Sequence, residues 1–208
     1  MWMINFYFSK ILSIIFPSRC YGCHKEEISL CNQCLKNCKK SLNTPAFFIT
    51  SIYNFQDPLI KKLIHSIKYF HRKDLISPIV KEIYLEISKT TEFENYIILP
   101  IPMPVIRKYI RGYNQAELIA KEIGKQCNLP VETNSLVRLS SPKSQLKTKT
   151  KNERLKNQHN SFKVVKDVSG LNILLIDDVT TTGATLIEAR NTLLKSGAKS
   201  VKAITIAH

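Results

Sequence analysis

Acidic residues are scarce in this chain of 208 residues, and the shortage sets its charge. Only 16 Asp and Glu stand against 31 Lys and Arg, which gives a formal net charge of +15. Such an excess favours an anionic partner, whether nucleic acid, a phosphorylated metabolite or an acidic membrane surface. A solubilising surface in a lysine-rich sequence explains the charge equally well, so the charge alone does not select a function.

Glycine is scarce too, and long apolar runs are missing. With 6 Gly, 9 Pro and 44% hydrophobic residues, the composition is that of a globular protein and not of a low-complexity chain. The most apolar stretch, residues 1–17, is interrupted by Lys10 and shows neither a basic leader nor a small-residue cleavage site. It therefore predicts no signal peptide and no membrane span. We expect a helix that packs on the domain, with a membrane-surface anchor as the alternative. The predicted location is the cytoplasm, or the cytoplasmic face of the inner membrane if the helix is an anchor.

Most of the six cysteines are concentrated in one short segment, and they are spaced as metal ligands. A reducing cytoplasm disfavours disulfides, so clustered cysteines there more often bind metal. The segment holds two C-x2-C pairs separated by seven residues, and two such pairs supply the four thiolates of a tetrahedral zinc site. We predict a closed, structural Zn²⁺ site with the ligands Cys20, Cys23, Cys31 and Cys34.

Other details of this small zinc-binding module, residues 18–43, stay open. Cys38 lies one helical turn after Cys34, and either Cys38 or His24 is a spare metal ligand. A redox-active C-x2-C pair is the main competing interpretation. Gly22 lies inside the first pair, where we expect it to supply a left-handed turn.

The remaining residues, 44–208, have the pattern of one α/β domain. Apolar positions predict strands at 47–55, 96–99, 172–176 and 201–207, and helices at 57–70, 74–88, 114–125 and 184–196. The final strand–helix–strand order is a βαβ unit, which predicts a parallel sheet flanked by helices. Segment 138–163 lacks apolar periodicity and carries eight Lys and Arg against Glu153 alone. It predicts a long mobile loop or a hairpin, and such loops are usually functional or disordered.

The strongest functional signal is the stretch 173–185. Its four apolar residues predict a buried parallel strand, and Asp177 and Asp178 follow at the carboxyl end, where open α/β sheets bind ligands. The turn after them is rich in Thr, contains Gly183 and opens a helix, which suits a phosphate; it has no lysine, so it is not a Walker A loop. Carboxylates beside a phosphate make sense if they accept hydrogen bonds from sugar hydroxyls. A phosphate next to a vicinal diol describes ribose 5-phosphate.

This stretch closely resembles the signature with which type I phosphoribosyltransferases bind phosphoribosyl pyrophosphate (PRPP). The resemblance implies a type I phosphoribosyltransferase-like fold, carboxylates on the ribose hydroxyls, and a 5-phosphate held by the loop from Thr181 to Thr185. It also implies Mg²⁺ bound with PRPP. The residues so assigned to PRPP are Asp177, Asp178, Val179, Thr180, Thr181, Thr182, Gly183, Ala184 and Thr185.

A second loop extends the resemblance to a family. The strand ending at Leu99 is followed by three prolines, a basic stretch, and the sequence Arg111-Gly112-Tyr113-Asn114-Gln115 before a helix that begins A-E-L. With the two C-x2-C pairs, this order resembles the ComF family of competence proteins, over nearly the whole chain from Cys20. The mild departures are Tyr113 in place of the commoner Phe and His208 in place of Arg. The other matching residues are Ile67, Lys68 and Tyr69, then Arg138, Gln145, Leu146, Arg154, Asn157 and Phe162.

The family resemblance implies a PRPP-binding protein required for natural transformation that handles internalised single-stranded DNA. Its partners would be competence proteins such as a DNA translocase or a recombination mediator. The loop Ile101, Pro102, Met103 and Pro104 would hold pyrophosphate, and segment 138–163 would close over PRPP. The DNA-binding candidates are Arg107, Lys108, Arg111, Lys147, Lys149, Lys151 and Arg154.

Whether the protein is an enzyme stays open at this point. A Mg²⁺-dependent phosphoribosyltransferase with PRPP as donor would need an acceptor, and the sequence shows no general base for one. The alternative is a metabolic phosphoribosyltransferase or an amidophosphoribosyltransferase-like enzyme that acts on a small acceptor and has no direct DNA role.

Overall fold

A parallel sheet forms the centre of the protein. The computed structural model describes residues 18–88, 93, 95–139 and 161–208. The sheet consists of β1 (Ile49–Tyr53), β2 (Tyr96–Pro100), β5 (Asn172–Val179) and β6 (Ser200–Ala207), in the spatial order β1-β6-β5-β2. All three strand pairings are parallel. A separate antiparallel pair joins β3 (Leu136–Arg138) to β4 (Phe162–Val164). The predicted α/β class is confirmed, and each predicted strand is found within a few residues of its expected limits.

The helices begin and end at the signals that the sequence carries. They are α1 (Asn32–Lys36), α2 (Pro58–Tyr69), α3 (Ile76–Ile87), α4 (Val105–Arg111), α5 (Gln115–Cys127) and α6 (Ala184–Lys195), with a 3₁₀ turn at Lys73–Leu75 before α3. The Asp57 carboxylate accepts the N–H groups of Leu59 and Ile60 at the start of α2. Asn114 caps α5 in the same way. Gly197, with φ 95°, follows α6 in the left-handed region that suits glycine after a helix.

The two faces of the sheet bury two hydrophobic cores. Successive residues of β5 alternate between them, with Leu174 and Ile176 on one face and Ile173 and Leu175 on the other. The first core includes residues of α2, α3 and α5, and the second includes residues of α6 and the β3–β4 pair. The sheet is therefore covered on both sides, which is why its central strand is apolar throughout.

The Cys-rich module belongs to the first core. Leu30 and Leu35 of the module are buried with Ile60 and Leu63 of α2. Polar contacts add to this packing, because Lys39 donates its N–H to the Asp57 carboxylate at 3.0 Å. Residues on both sides of the predicted boundary at position 43 therefore share one core.

The short helix α1 and helix α4 were not predicted. We expected an irregular basic stretch between Pro104 and Asn114, whereas the structure has α4 there. The apolar residues of α4 lie in solvent; Ile106 is 72% and Tyr109 is 90% exposed. The predicted helix at 1–17 and residues 140–160 of the basic segment lie outside the described residues. None of the helices in the described part of the chain has the length and apolarity needed to cross a membrane.

Candidate anion-binding cavity and metal centre

The carboxyl ends of β2 and β5 open into a polar cavity of about 420 Å³. Because these strands are paired neighbours, the loop after β2 and the acidic pair on β5 reach the same edge of the sheet. The loop Ile101–Pro104 and Thr185, in the first turn of α6, also line the cavity. Its charged lining residues are Lys68, Arg107, Arg111, Arg138, Asp177 and Asp178.

The two aspartates are in different electrostatic states. Asp178 forms an ion pair with Lys68 in the last turn of α2, with Nζ 2.9 Å from Oδ2. Asp177 has no such partner among the described residues, and its Oδ1 accepts the N–H of Asp178 at 2.8 Å. Burial raises the pKa of the Asp177 carboxyl to about 8, and the Asp178 charge adds to the rise; the hydrogen bond from the Asp178 N–H opposes it, as do Lys68 and Arg138. Burial and the neighbouring Asp178 charge therefore favour the protonated form of Asp177.

The Thr/Gly turn leads from this acidic pair into α6. Gly183 has φ 73°, a conformation that favours glycine, and a Cβ there would be in tight contact with Pro45 at 3.1 Å. The Thr182 hydroxyl accepts the N–H of Ala184 at 3.4 Å. The turn places the positive end of the α6 dipole at the edge of the sheet where the cavity opens.

Three guanidinium groups also line the cavity, those of Arg107, Arg111 and Arg138, and we call them the arginine wall. Among the described residues, none of the three has a carboxylate within ion-pair distance. Burial lowers the pKa of the Arg138 guanidinium, and the nearby Arg107 charge lowers it further, against a smaller opposing effect of Asp177. Like charges held together without a counter-ion favour a bound anion.

Arg111 is held in place from two directions. Its Nη1 donates to Gln115 Oε1 at 2.7 Å, and its guanidinium lies 5.2 Å from the centre of the Tyr69 ring. Gln115 is only 1% exposed, and its side chain also forms a hydrogen bond with Tyr113. The neighbouring Tyr113 hydroxyl donates its own proton to the carbonyl of Ile67.

The predicted site residues are distributed as follows. The whole proline loop, Ile101–Pro104, lines the cavity, as do Asp177, Asp178, Val179 and Thr185 of the predicted PRPP set. Thr181 lines a separate cavity of about 440 Å³, where its carbonyl accepts from His208 Nε2 at 2.9 Å.

The DNA-binding candidates separate into three groups. Arg107 and Arg111 line the cavity. Lys108 lies outside it and is 3.6 Å from Glu117. Lys147, Lys149, Lys151 and Arg154 fall outside the described residues.

Sequence reasoning assigned no individual role to several residues that line this cavity, although Arg138 begins segment 138–163, which was expected to close over PRPP. Lys68, Arg138 and Gln115 all belong to the motifs of the resemblance, but they are far apart in the chain and lie on α2, β3 and α5. The only signal that could have found them was their place in those motifs, because nothing local in the sequence shows that they converge.

The N-terminal cysteines form a compact cluster. The Sγ atoms of Cys20, Cys23, Cys31 and Cys34 all lie within 4.8 Å of one another, and those of Cys23 and Cys31 are 3.8 Å apart. Tetrahedral zinc with Zn–S bonds of about 2.3 Å requires sulfur atoms about 3.8 Å apart. Burial raises the pKa of the Cys34 thiol, and its thiol neighbours raise it further. A divalent cation would relieve that repulsion, so the four residues could hold a metal ion such as Zn²⁺.

Cys38 and His24, the spare ligand candidates, are not part of the cysteine cluster, and Gly22 has a different role from the one that we expected. The Cys38 thiol donates to the Cys34 carbonyl at 3.3 Å, and neither Cys38 nor His24 joins the described cluster. Our explanation of Gly22 was wrong, because Gly22 does not have a positive φ, whereas His24 has φ 60°. Gly22 is needed for space: a Cβ there would lie 2.6 Å from Cys34 Sγ.

Comparison with known proteins agrees with this geometry. The model of the family described as "Phosphoribosyl transferase domain" matches residues 71–208. Competence protein ComFC of Bacillus subtilis (strain 168) is 32% identical over 157 residues, which are 75% of this chain and 62% of that one. DNA utilization protein YhgH of Salmonella typhi is 26% identical over 203 residues, 89% of this chain and 86% of that one. Competence protein F of Haemophilus influenzae is 31% identical over 107 residues, 50% of this chain and 47% of that one.

Two of these findings settle the relationship. The family model covers well over half of the chain, and ComFC exceeds 30% identity over three quarters of it, although this chain spans 62% of ComFC's length. The predicted fold class, a phosphoribosyltransferase-like parallel sheet with a cluster of four cysteines before it, is confirmed. The chain belongs to the ComF family of phosphoribosyltransferase-like proteins.

Proposed function

We propose that this protein binds PRPP in the cavity between β2 and β5 and acts in the uptake and handling of single-stranded DNA during natural transformation. The PRPP proposal rests on one observation: acidic and basic side chains line the same cavity. A carboxylate pair and the first turn of α6 line the same cavity as three guanidinium groups that have no carboxylate partner among the described residues. The DNA role is supported by the names of the relatives, which are competence and DNA utilization proteins.

The two groups of lining residues suit the two ends of PRPP. The carboxylates of Asp177 and Asp178 would accept hydrogen bonds from the ribose hydroxyls, and the turn before α6 would bind the 5-phosphate. The pyrophosphate would then extend toward the proline loop. Mg²⁺ would come bound to the phosphate oxygens of PRPP and neutralise part of their charge, so that few direct protein ligands are needed.

PRPP binding can be tested on the acidic pair. We expect the double substitution Asp177→Asn with Asp178→Asn to reduce PRPP affinity more than a hundredfold, because two charge-assisted hydrogen bonds worth about 3 kcal/mol or more are lost. Calorimetry with Mg²⁺ and PRPP measures this. Asp167→Asn, an exposed aspartate outside the cavity, is the control. Wild-type affinity in the double variant would rule this site out.

The single-stranded DNA proposal is supported by the distribution of charge. The net charge is +15, and segment 138–163 contains eight of the basic residues. Phosphate contacts of this kind carry no sequence information, so we expect binding with little sequence preference. Neutralisation of several phosphates releases counter-ions, and affinity should fall about tenfold or more between 50 and 200 mM salt.

The contribution of the basic segment to DNA binding can be distinguished from that of the rest of the surface by two variants that remove equal charge. We expect Lys147→Gln, Lys149→Gln and Lys151→Gln together to weaken DNA binding and flatten its salt dependence. Lys36→Gln, Lys195→Gln and Lys199→Gln together remove the same charge from exposed positions elsewhere. If both triple variants lose DNA affinity equally, the segment is not the DNA contact.

Transferase chemistry is the second part of the proposal. In such a reaction the bond from ribose C1 to pyrophosphate breaks, pyrophosphate leaves with the electron pair, and an acceptor takes its place. Release of pyrophosphate from PRPP, measured with and without single-stranded DNA and with small amine or base acceptors, tests it. Release only with a small acceptor would favour a metabolic enzyme over a DNA-handling protein.

A further inference from the structure

Three aromatic rings lie in solvent on the outer face of α2 and at its end. Tyr69 is 59% and Phe70 is 63% exposed, and His65 is exposed one helical turn before Tyr69. The ring centres of His65 and Tyr69 are 4.8 Å apart, and those of His65 and Phe70 are 5.4 Å apart. We call these three residues the ring stripe. Aromatic rings grouped in solvent indicate a surface that binds a partner.

The ring stripe has a rigid support. Four apolar residues bury the opposite face of α2 in the first core, and they are Ile60, Leu63, Ile64 and Ile67. Phe70 donates its N–H to the Ser66 carbonyl at 3.0 Å, and the chain then turns at His71, which has φ 53°. The His71 ring packs on Tyr113, with the ring centres 5.5 Å apart. Because the backbone on both sides of the rings is fixed, little freedom is lost when a partner binds.

The surroundings of the ring stripe are basic. Residues 58–73 contain five Lys and Arg and no Asp or Glu. Two exposed lysines, Lys61 and Lys62, precede the stripe by one helical turn. At the other end, the Arg111 guanidinium lies 5.2 Å from the centre of the Tyr69 ring, and it has no carboxylate partner among the described residues. Charge complementarity therefore favours an anionic partner that also offers flat apolar groups.

We infer that the bases of single-stranded DNA stack on the ring stripe, while Arg111 and the exposed lysines of α2 contact the phosphates beside them. The inference rests on the proposed DNA role and names the surface that binds the bases. Every base has a π-face, so stacking on aromatic side chains tolerates any sequence. Tyr69 also lines the cavity, so the stripe begins at the edge of the proposed PRPP site.

The test compares two strands of equal charge. One is a thymidine oligonucleotide, and the other is an abasic strand of the same length, which keeps the phosphates but lacks the bases. Wild-type protein should bind the thymidine strand more tightly. We expect Phe70→Ala to weaken binding of the thymidine strand about fivefold or more, as for loss of one stacked base, and to leave binding of the abasic strand unchanged.

A matched control comes from another exposed ring. Phe47 is 91% exposed and lies 5.4 Å from the Arg190 guanidinium, but it is not part of the ring stripe. Phe47→Ala should therefore bind both strands as the wild type does. The double variant His65→Ala with Phe70→Ala removes two of the three rings and should lose more affinity for the thymidine strand than Phe70→Ala alone.

Two further variants distinguish stacking from general apolar contact. Phe70→Leu keeps a large apolar side chain without a ring face, so it should bind the thymidine strand as weakly as Phe70→Ala, whereas Phe70→Trp should restore binding. Wild-type affinity in the double variant, or an equal loss for both strands, overturns the inference. Full binding by Phe70→Leu also overturns it and indicates a protein or membrane contact instead. A wild-type protein that binds neither strand rejects the proposed DNA role itself.

Discussion

The two sides of the cavity are built in different ways. The β5–α6 side comes from one continuous stretch, 173–185, in which a strand, an acidic pair and a Thr/Gly turn follow one another. The arginine wall comes from two elements far apart in the chain, with Arg107 and Arg111 on α4 and Arg138 on β3. The continuous side depends on local backbone geometry, whereas the arginine wall depends on the packing of distant segments. Changes far from the ligand should therefore affect the second side more than the first.

The largest expected effect comes from the metal cluster, which is linked to the cavity through α2. We expect Cys20→Ser with Cys34→Ser to abolish metal binding, because structural zinc contributes about 10 kcal/mol or more to the folding of such modules. The module shares its core with α2, which carries Lys68 in its last turn. Elemental analysis should show one zinc per chain in the wild type and none in the variant. The melting temperature should fall by about 10 °C or more.

The zinc prediction has a clear control. Cys127→Ser changes a cysteine at the end of α5 that is not part of the cluster, and it should keep both zinc and stability. A double variant without zinc that melts as the wild type does would show that the cluster is not structural. A double variant that retains zinc would show that the four ligands are assigned wrongly.

The next two substitutions compare the arginine wall directly with the β5–α6 residues. We expect Arg138→Gln to weaken PRPP binding about tenfold or more, because a guanidinium contact with an anion is charge-assisted. Thr185→Ala removes a neutral hydroxyl from the β5–α6 side and should cost about fivefold. Both are measured by calorimetry with Mg²⁺ and PRPP. A larger loss in Thr185→Ala would mean that the arginine wall does not carry the pyrophosphate.

The smallest effect is a dependence on pH. Because the folded-state pKa of Asp177 is raised to about 8, ribose hydroxyls meet a mostly protonated carboxyl at pH 7. Binding that needs the carboxylate should strengthen as pH rises, by at most about tenfold per pH unit, and should level off above pH 8. The raised pKa also means that the folded protein without ligand loses stability as pH rises between the unfolded pKa near 4 and 8.

Two variants test whether Asp177 is the source of the pH dependence. Asp177→Asn should bind PRPP weakly and without this rise between pH 7 and 9. Lys68→Met removes a cation that lowers the pKa of Asp177, so the rise should move to higher pH. A wild-type affinity that is flat over this range would show that Asp177 is already ionised or does not contact the ligand.

The contrast between the two sides explains what the sequence could predict. The β5–α6 side was predicted because strand, acid pair, turn and helix are local patterns, and the four cysteines because their spacing is local too. Helix α4 was missed because the prolines and basic residues were interpreted as a loop, although Val105, Ile106, Tyr109 and Ile110 are spaced as on one face of a helix. The convergence of Lys68, Gln115 and Arg138 could not be predicted, since it results from tertiary packing. Gly22 was noticed for the wrong reason, because the nearness of Cys34 is not visible in the sequence.

The strand order has a consequence for how the chain reaches this state. β1 lies at one edge of the sheet, and β6 is its neighbour there; the buried hydroxyls of Ser51 and Thr205, separated by 154 positions, form a hydrogen bond at 2.8 Å. Pairing between such distant segments slows folding. The entropy of closing a large loop is lost before the paired strands form any stabilising contact. Until β6 is in place, β1 exposes an unpaired edge that invites association with other chains. Refolding yield should therefore fall steeply with protein concentration, and fragments that lack β6 should aggregate.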